Sequence, residues 1–195
     1  MDLPLSVLSQ VTTTLDHAGI RYVLVGSFAS SIHGMYRSTA DIDLLAEIKA
    51  EHVSPLFEVL RNSLHVDEQA MREAVSHRRS FNAIHFDSVF KVDFFVAKSD
   101  DFAVAQLNRR ELRRISPERD ETVYVATAED TILAKLQWYR AGNETSNTQW
   151  NDVVGVLGTS KDKLDLEYLH AWAKKLGLND LLQKALADIQ EDSGI

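Results

Sequence analysis

The sequence predicts an α/β domain, a mixed β-sheet flanked by helices, followed by a helical C-terminal unit. Three observations carry this. Short alternating or β-branched runs recur between helical stripes up to residue 126. From Thr127 onward the pattern is helical to the end, with no convincing strand. The composition of the 195 residues, 45% hydrophobic and 26% charged, is that of a soluble globular protein of ordinary domain size. The expected division is therefore an α/β domain over 1–126 and a helical domain over 127–195 packed on it.

Taken in order, Leu5, Leu8, Val11 and Leu15 fall at helical spacing and predict a helix over 4–18, which Gly19 ends. The run Arg21–Val25 (RYVLV) is a strand that stops at Gly26, and residues 27–33 form a short helix closed by Gly34. Asp41–Glu47 (DIDLLAE) alternates and reads as a second strand. Val53, Leu56, Phe57, Leu60 and Leu64 mark an amphipathic helix, and a further helix is expected over 67–79. Phe81–Phe86 and Phe90–Val96 form a hairpin around Asp87-Ser88. A helix near 100–108 and strands near 111–115 and 121–125 complete the first domain. In the second, Thr127 with Asp130 opens a helix in capping-box fashion and Gly142 stops it. Trp150, Val153, Val154 and Leu157 make the next stripe, and two more helices follow, through Leu169–Leu176 and Leu178–Ile189.

Several chemistries are excluded at the outset. The chain has no cysteine, so disulfides, thiolate zinc sites, cysteine-ligated clusters and cysteine nucleophiles are absent. A metal here must be held by oxygen or imidazole, which favours hard cations such as magnesium. No apolar run approaches the roughly 18 residues of a membrane span. The N-terminus, MDLPLSVLSQ, carries an acid where an export signal carries bases, so a cytoplasmic location is expected. The net charge of −8 argues against general nucleic-acid coating, though not against a local basic groove.

The most informative stretch is Gly26–Leu45, GSFASSIHGMYRSTADIDLL. A strand runs into Gly-Ser at a helix start, and Asp-x-Asp opens the next strand. Gly26 permits a tight turn and close approach of a ligand. The unsatisfied amides of the helix that follows, with their positive dipole end, are a natural phosphate seat to which the Ser27 hydroxyl adds a donor. On an extended strand Asp41 and Asp43 point to one side, about 6.6 Å apart at Cα, while Ile42 and Leu44 face the core. In FKVDFFV, Asp93 shares a face with Lys91 and Phe95 amid apolar residues, a costly placement unless something pairs with it. A metal shared with Asp41 and Asp43 supplies that partner. Three carboxylates around two divalent ions about 3.5–4 Å apart make a clamp for in-line phosphoryl or nucleotidyl transfer.

These motifs resemble the signature of the polymerase-β-like minimal nucleotidyltransferases. The segment Arg37-Ser38-Thr39-Ala40-Asp41-Ile42-Asp43 looks like the R-x-T-x-D-I-D segment of the AbiEii-type abortive-infection toxin nucleotidyltransferases, and Lys91-Val92-Asp93 is similar to their K-x-D motif. Lys135 in EDTILAKLQW resembles the later lysine motif, and Asp152 in TQWNDVVGVL the final aspartate motif. The resemblance spans about residues 20–157. It implies a metal-dependent transfer of a nucleoside monophosphate from an NTP, with pyrophosphate released. Asp41, Asp43 and Asp93 are the expected catalytic residues and ligands of two magnesium ions, with manganese as the substitute. Gly26, Ser27, Arg37, Lys91, Lys135 and Asp152 are the expected nucleotide-binding residues. For toxin members the acceptor is commonly the 3′ end of tRNA, which brings in a cognate antitoxin as a partner; relatives modify antibiotics or proteins.

Residues 105–119 carry a local charge of +3, and Arg109, Arg110, Arg113 and Arg114 are candidate RNA contacts, against a reading as a solvated, salt-bridged face. Other residues have bland readings beside the functional ones. Lys135 lies at the rim of its helix's apolar stripe, where a lysine also snorkels to solvent. Asp152 projects opposite Trp150, Val153, Val154 and Leu157, where an acid is either solvated or faces a cleft. Arg37 and Thr39 either bind substrate or order the loop before Asp41. His33 reads as a helix-end histidine, and Trp138 is expected to pack although it lies off its stripe. The alternative functions are transfer to a small antibiotic-like molecule or to a protein, and a catalytically silent fold serving as a binding or antitoxin-like module.

Overall fold

The computed structural model describes residues 3–34, 36–39, 41–88, 90–115 and 121–192. Along the chain these form α1 (Leu3–His17), β1 (Tyr22–Val25), α2 (Gly26–His33), β2 (Asp41–Ala46), α3 (Ala50–Leu60), β3 (Leu64–His65) and α4 (Glu68–His77). Then come β4 (Ser80–His85), β5 (Lys91–Val96), α5 (Asp101–Arg109), β6 (Glu111–Arg114) and β7 (Thr122–Val125). The chain ends in α6 (Ala128–Ala141), α7 (Asn147–Ser160), a 3-10 turn (Lys161–Lys163), α8 (Leu166–Lys175) and α9 (Asn179–Asp192). Two compact units result: Met1–Val25 with Thr39–Ala126, and Gly26–Ser38 with Thr127–Ile195.

The first unit is built on a seven-stranded mixed sheet in the order β3-β4-β5-β2-β1-β7-β6. The pairs β2–β5 and β1–β7 are parallel and the remaining pairs antiparallel. Alternation decides which face each side chain takes. Ile42, Leu44 and Ala46 of β2 and Val92 and Phe94 of β5 are wholly buried on one face. On the other, Leu45 packs with Val25 against the cluster of Val23, Ala97, Leu107 and Ala126, so α5 covers that face at one end. Asp41 and Asp43 precede Leu45 on the same face and lie toward the other end. Helix α1 contributes Val7, Leu8, Val11 and Leu15, all fully or almost fully buried.

One expectation in this unit needs correction, and part of another falls outside the described residues. The stripe from Val53 does not reach Leu64: α3 ends at Leu60, and Leu64 lies in the two-residue strand β3, paired with His85. A turn over 61–63 separates them, so a helical spacing that fitted Leu64 was coincidental. Of the expected basic segment, Arg119 lies outside the described residues.

In the second unit, Thr127 accepts a hydrogen bond from the Asp130 amide at 3.2 Å and caps α6, as its sequence position predicts. Helix α6 packs on α7, α2 and α8, and α7 packs on α9 and α2. Because α6 meets neighbours on several sides, its first two turns are buried almost all round, from Glu129 to Leu133. Here the stripes shift. On α7 the buried residues are Asp152, Val153, Val156 and Leu157, so Val156 takes the place expected for Val154. Asp152, one turn before Val156, is thereby on the inner side. Lys135 is 4% exposed rather than snorkelling, and Trp138, expected inside, is 58% exposed. Trp150 does pack, with its ring 5.0 Å from that of Tyr139.

Gly34 follows α2 where that helix runs close to α7. A Cβ there would stand 2.9 Å from the Val156 amide nitrogen and 3.0 Å from the Ser30 carbonyl oxygen, so only glycine fits without displacement. His33 ends α2, buried, with its carbonyl accepting from Ser160 Oγ at 3.1 Å. Among the described residues no helix is long and apolar enough to cross a membrane.

Candidate functional site

The candidate residues fall into one cluster in each unit. The first lies on β2 and β5. Parallel register places Asp43 directly opposite Asp93, and Asp41 opposite Lys91. Neighbouring strands run about 4.8 Å apart, so side chains at these four positions share one small patch of one face. The Lys91 ammonium sits 2.8 Å from Asp93 Oδ2 and 3.7 Å from Asp41 Oδ1. The hydrogen bond to Asp93, reinforced by the charges of Asp41 and Asp43, raises the Lys91 pKa above its ordinary 10.5 despite partial desolvation. Asp41 remains 47% exposed at its side chain and Asp93 19%. Thr39 Oγ1 donates to the Asp41 carbonyl at 3.3 Å and so orders the entry into β2.

The donors are all carboxylate oxygens, which suits a hard divalent cation. The cation the structure places among them is the Lys91 ammonium. Among the described residues, no three acid or imidazole groups are drawn together tightly enough to hold a metal as they stand. Lys91 occupies the space between Asp41 and Asp93, and metal binding there requires it to withdraw.

The second cluster surrounds the start of α2. Gly26 opens the helix with φ +64°, a left-handed conformation that glycine adopts without steric penalty. Ser27 follows. Arg37 grips Asp152 with two donors, Nε to Oδ1 at 2.9 Å and Nη2 to Oδ2 at 3.1 Å. Its Nη2 also donates to Ser27 Oγ. Lys135 Nζ lies 2.7 Å from Asp152 Oδ2 and 3.5 Å from Ser27 Oγ. Burial alone would raise the Asp152 pKa, but hydrogen bonds from Arg37 and Lys135 outweigh it and hold the carboxyl below its ordinary 3.8. Two cations therefore converge on Ser27 Oγ at a helix N-terminus, with Asp152 fixing both. A hydroxyl that accepts these bonds still has its own O–H to give.

Ser27, Arg37, Lys135 and Asp152 are thus brought together, as are Asp41, Asp43, Lys91 and Asp93. The arginines of 109–114 form no such cluster. Arg110 stacks over the Tyr124 ring at 4.2 Å and donates to the Tyr22 carbonyl at 3.2 Å. Arg113 pairs with Glu111 on the exposed strand β6, where Arg114 also stands; Arg109 ends α5. A residue that sequence reasoning passed over is Tyr36, 86% exposed. With Ser30, Arg37, Asp152 and Gly155 it lines a cavity of about 620 Å³. Its signal was an aromatic in a short polar loop between Gly34 and the Asp-x-Asp strand.

The mixed sheet with flanking helices is the nucleotidyltransferase fold, and solved structures of that fold match along most of the chain. The crystal structure of ANT(2'')-Ia in complex with adenylyl-2''-tobramycin matches with a TM-score of 0.60 at 14% identity, covering 89% of this chain and 96% of that one. An antigenic nucleotidyltransferase-like protein from Paracoccidioides brasiliensis matches with 0.53 at 18%, covering 93% and 91%. A putative nucleotidyltransferase from Thermotoga maritima matches with 0.51 at 16%, covering 77% and 94%. No curated protein matches the chain. The family is settled by sequence: residues 5–180 match the nucleotidyltransferase family of unknown function DUF6036, to which this chain belongs.

Proposed function

We infer that the protein transfers a nucleoside monophosphate from an NTP to an acceptor and releases pyrophosphate. The observation that carries this is the register of β2 and β5, which sets Asp43 against Asp93 with Asp41 on the same face. In this reading Asp41, Asp43 and Asp93 hold two magnesium ions, or manganese in their place. Such ions supply Lewis-acid activation of the acceptor hydroxyl and neutralise phosphate charge. The chain's own groups do the rest. The α2 amides after Gly26, with the Ser27 hydroxyl, seat phosphate oxygens at the positive end of the helix. Arg37 and Lys135, held by Asp152, bring positive charge to the same hydroxyl, and Lys91 adds a mobile cation beside the carboxylates. The division at residue 126 into a carboxylate-bearing domain and a helical domain belongs to the same proposal.

For the acceptor we favour RNA, with the 3′ end of tRNA first. The R-x-T-x-D-I-D resemblance over 37–43 supports an AbiEii-type enzyme, toxin-like, working in the cytoplasm and restrained by an antitoxin. Arg109, Arg113 and Arg114 are the RNA contacts this reading retains. Arg110 serves less well, being committed to Tyr22 and Tyr124. That commitment favours a second reading, a small-molecule acceptor, which is the kind of product ANT(2'')-Ia holds in its complex. Incubation with each of the four labelled NTPs, magnesium, and either total RNA or a panel of aminoglycosides and lincosamides separates the two. Label on the 3′ end of RNA supports the first; label on a small molecule alone replaces it with the second. No transfer to any acceptor, with no NTP binding, would reduce the chain to a silent binding module.

A further inference from the structure

Strands β2 and β5 carry the candidate carboxylates at their first residues, and a different set of groups gathers where they end. Beyond Ala46 and Val96 the chain leaves the sheet into a cavity of about 390 Å³ between the start of α3 and the end of α4. That size lies within the range of small-ligand sites. From Asp41 to Glu47 is six strand residues, about 20 Å, so the cavity is separate from the carboxylate patch.

The lining has two characters. Ile48, Val53, Val75 and Val96 give it an apolar floor, while Lys49, Arg72 and Arg78 stand around it with Glu47 as the one acid of the lining. One Arg72 nitrogen, Nη2, is already engaged by Glu68 Oε1 and Ser54 Oγ, each at 2.6 Å, so its other N–H groups are the ones that face a ligand. Glu47 is already matched: Arg21 bonds it at 2.9 Å, and that hydrogen bond holds its carboxyl below the ordinary value. Arg78 is fixed by one donor on the Ala97 carbonyl at 2.8 Å, one of the five N–H groups a guanidinium offers. It also occupies a left-handed conformation, φ +49°, at the C-cap of α4, a position that favours glycine or asparagine. The side chain kept there is a cation facing the cavity. Helix α3 starts at Lys49–Ala50 on the same cavity, with Ala50 in the lining and Glu51 as the acid of its first turn.

We propose that this cavity is a second binding site, for an organic phosphate with an apolar or aromatic body. Lys49, Arg72 and Arg78 take the phosphate, and the floor around Val53 and Val75 takes the body. A ligand seated there holds the far ends of the two strands that bear Asp41, Asp43 and Asp93.

The test uses the full chain without divalent metal and follows backbone amides by heteronuclear NMR during titration with adenosine 5′-monophosphate. Saturable shifts at Lys49, Ala50 and Ser76 are expected, with weaker binding of inorganic phosphate and no binding of adenosine. Arg72→Gln with Arg78→Gln is expected to weaken binding at least about tenfold, the equivalent of about 1.4 kcal/mol. Ser76→Trp, an exposed change at the rim, is expected to block the cavity with every charge intact, and Arg78→Lys to retain part of the affinity. Shifts confined to Ser27, Lys91 and Asp93 would overturn the proposal. So would unchanged binding in Ser76→Trp, or equal affinity for phosphate and the nucleotide, which marks an adventitious anion site only.

Discussion

The two clusters use the same residue types for opposite purposes. On β2 and β5, Asp41 and Asp93 stand partly in solvent and share one lysine. In the helical unit, Asp152 is 6% exposed at its side chain and receives an arginine and a lysine together. A buried carboxylate with both oxygens engaged is satisfied and has little capacity for a newcomer. Partly exposed carboxylates bridged by a single ammonium hold a cation less firmly and can exchange it. On the proposed reading, then, the acids that hold metal are the less stabilised ones. The well-satisfied acid instead positions the cations around Ser27.

The sharpest way to break this contrast is to neutralise one acid of each kind. Asp93→Asn should leave the fold intact, since an amide keeps the shape and, among the described residues, Lys91 is the ion-pair partner of Asp93. Nucleotidyl transfer should fall by about 10⁴-fold, about 5.5 kcal/mol at 1.36 kcal/mol per decade. A radiolabelled NTP assay beside a thermal melt checks both halves. Activity within tenfold of the parent would remove Asp93 from the reaction.

Lys135→Met attacks the other cluster and should act on stability first. Leaving Asp152 buried without one of its two cations should cost about 3–5 kcal/mol in urea unfolding. Replacing Asp152 as well, Lys135→Met with Asp152→Leu, should recover much of that loss, because the one charge that then loses its partner, Arg37, is 35% exposed at its side chain and can turn to solvent. The same pair sets an acid dependence. The folded Asp152 pKa is depressed, so its contribution is complete above the unfolded-state value, near the ordinary 3.8. It is lost as pH falls through the lower folded value. Asp152→Asn should therefore flatten stability against pH at the acid end and leave the neutral range parallel to the parent.

Gly34→Ala tests the packing that places α2. With a Cβ forced against the Val156 amide and the Ser30 carbonyl, backbone must shift, at a cost of about 1–3 kcal/mol. A thermal melt at the parent's temperature would mean that the end of α2 is looser than its contacts with α7 show.

How much of this was legible in the sequence follows from the range of each interaction. The carboxylate face was readable because a strand's period is two: DIDLLA and KVDFFV each declare their buried side, and the structure follows them residue by residue. Strand β3 was not, since two residues carry no period and Leu64 pairs only because β4 returns beside it. Lys135 and Asp152 were named from the sequence, yet their burial was not. A helical stripe assigns charge to solvent, and what reverses the assignment is Arg37, 115 positions from Asp152 in the chain. Trp138 erred the other way, because an aromatic suggests burial while its place on α6 leaves it more than half exposed.

The smallest change sharpens the comparison most. Lys91→Met removes the ammonium that bridges Asp41 and Asp93 while keeping the length of the side chain. In a structural reading that lysine offsets the repulsion of the carboxylates, and its loss should only destabilise. If the carboxylates exist to hold metal, the ammonium competes with it for the same oxygens. Manganese binding by isothermal titration calorimetry should then tighten about tenfold, about 1.4 kcal/mol. Because the folded Lys91 pKa is raised, the lysine stays charged across the neutral range and competes with the metal there in the parent but not in the variant. Unchanged or weaker manganese binding in Lys91→Met would instead make the lysine part of the site's permanent frame.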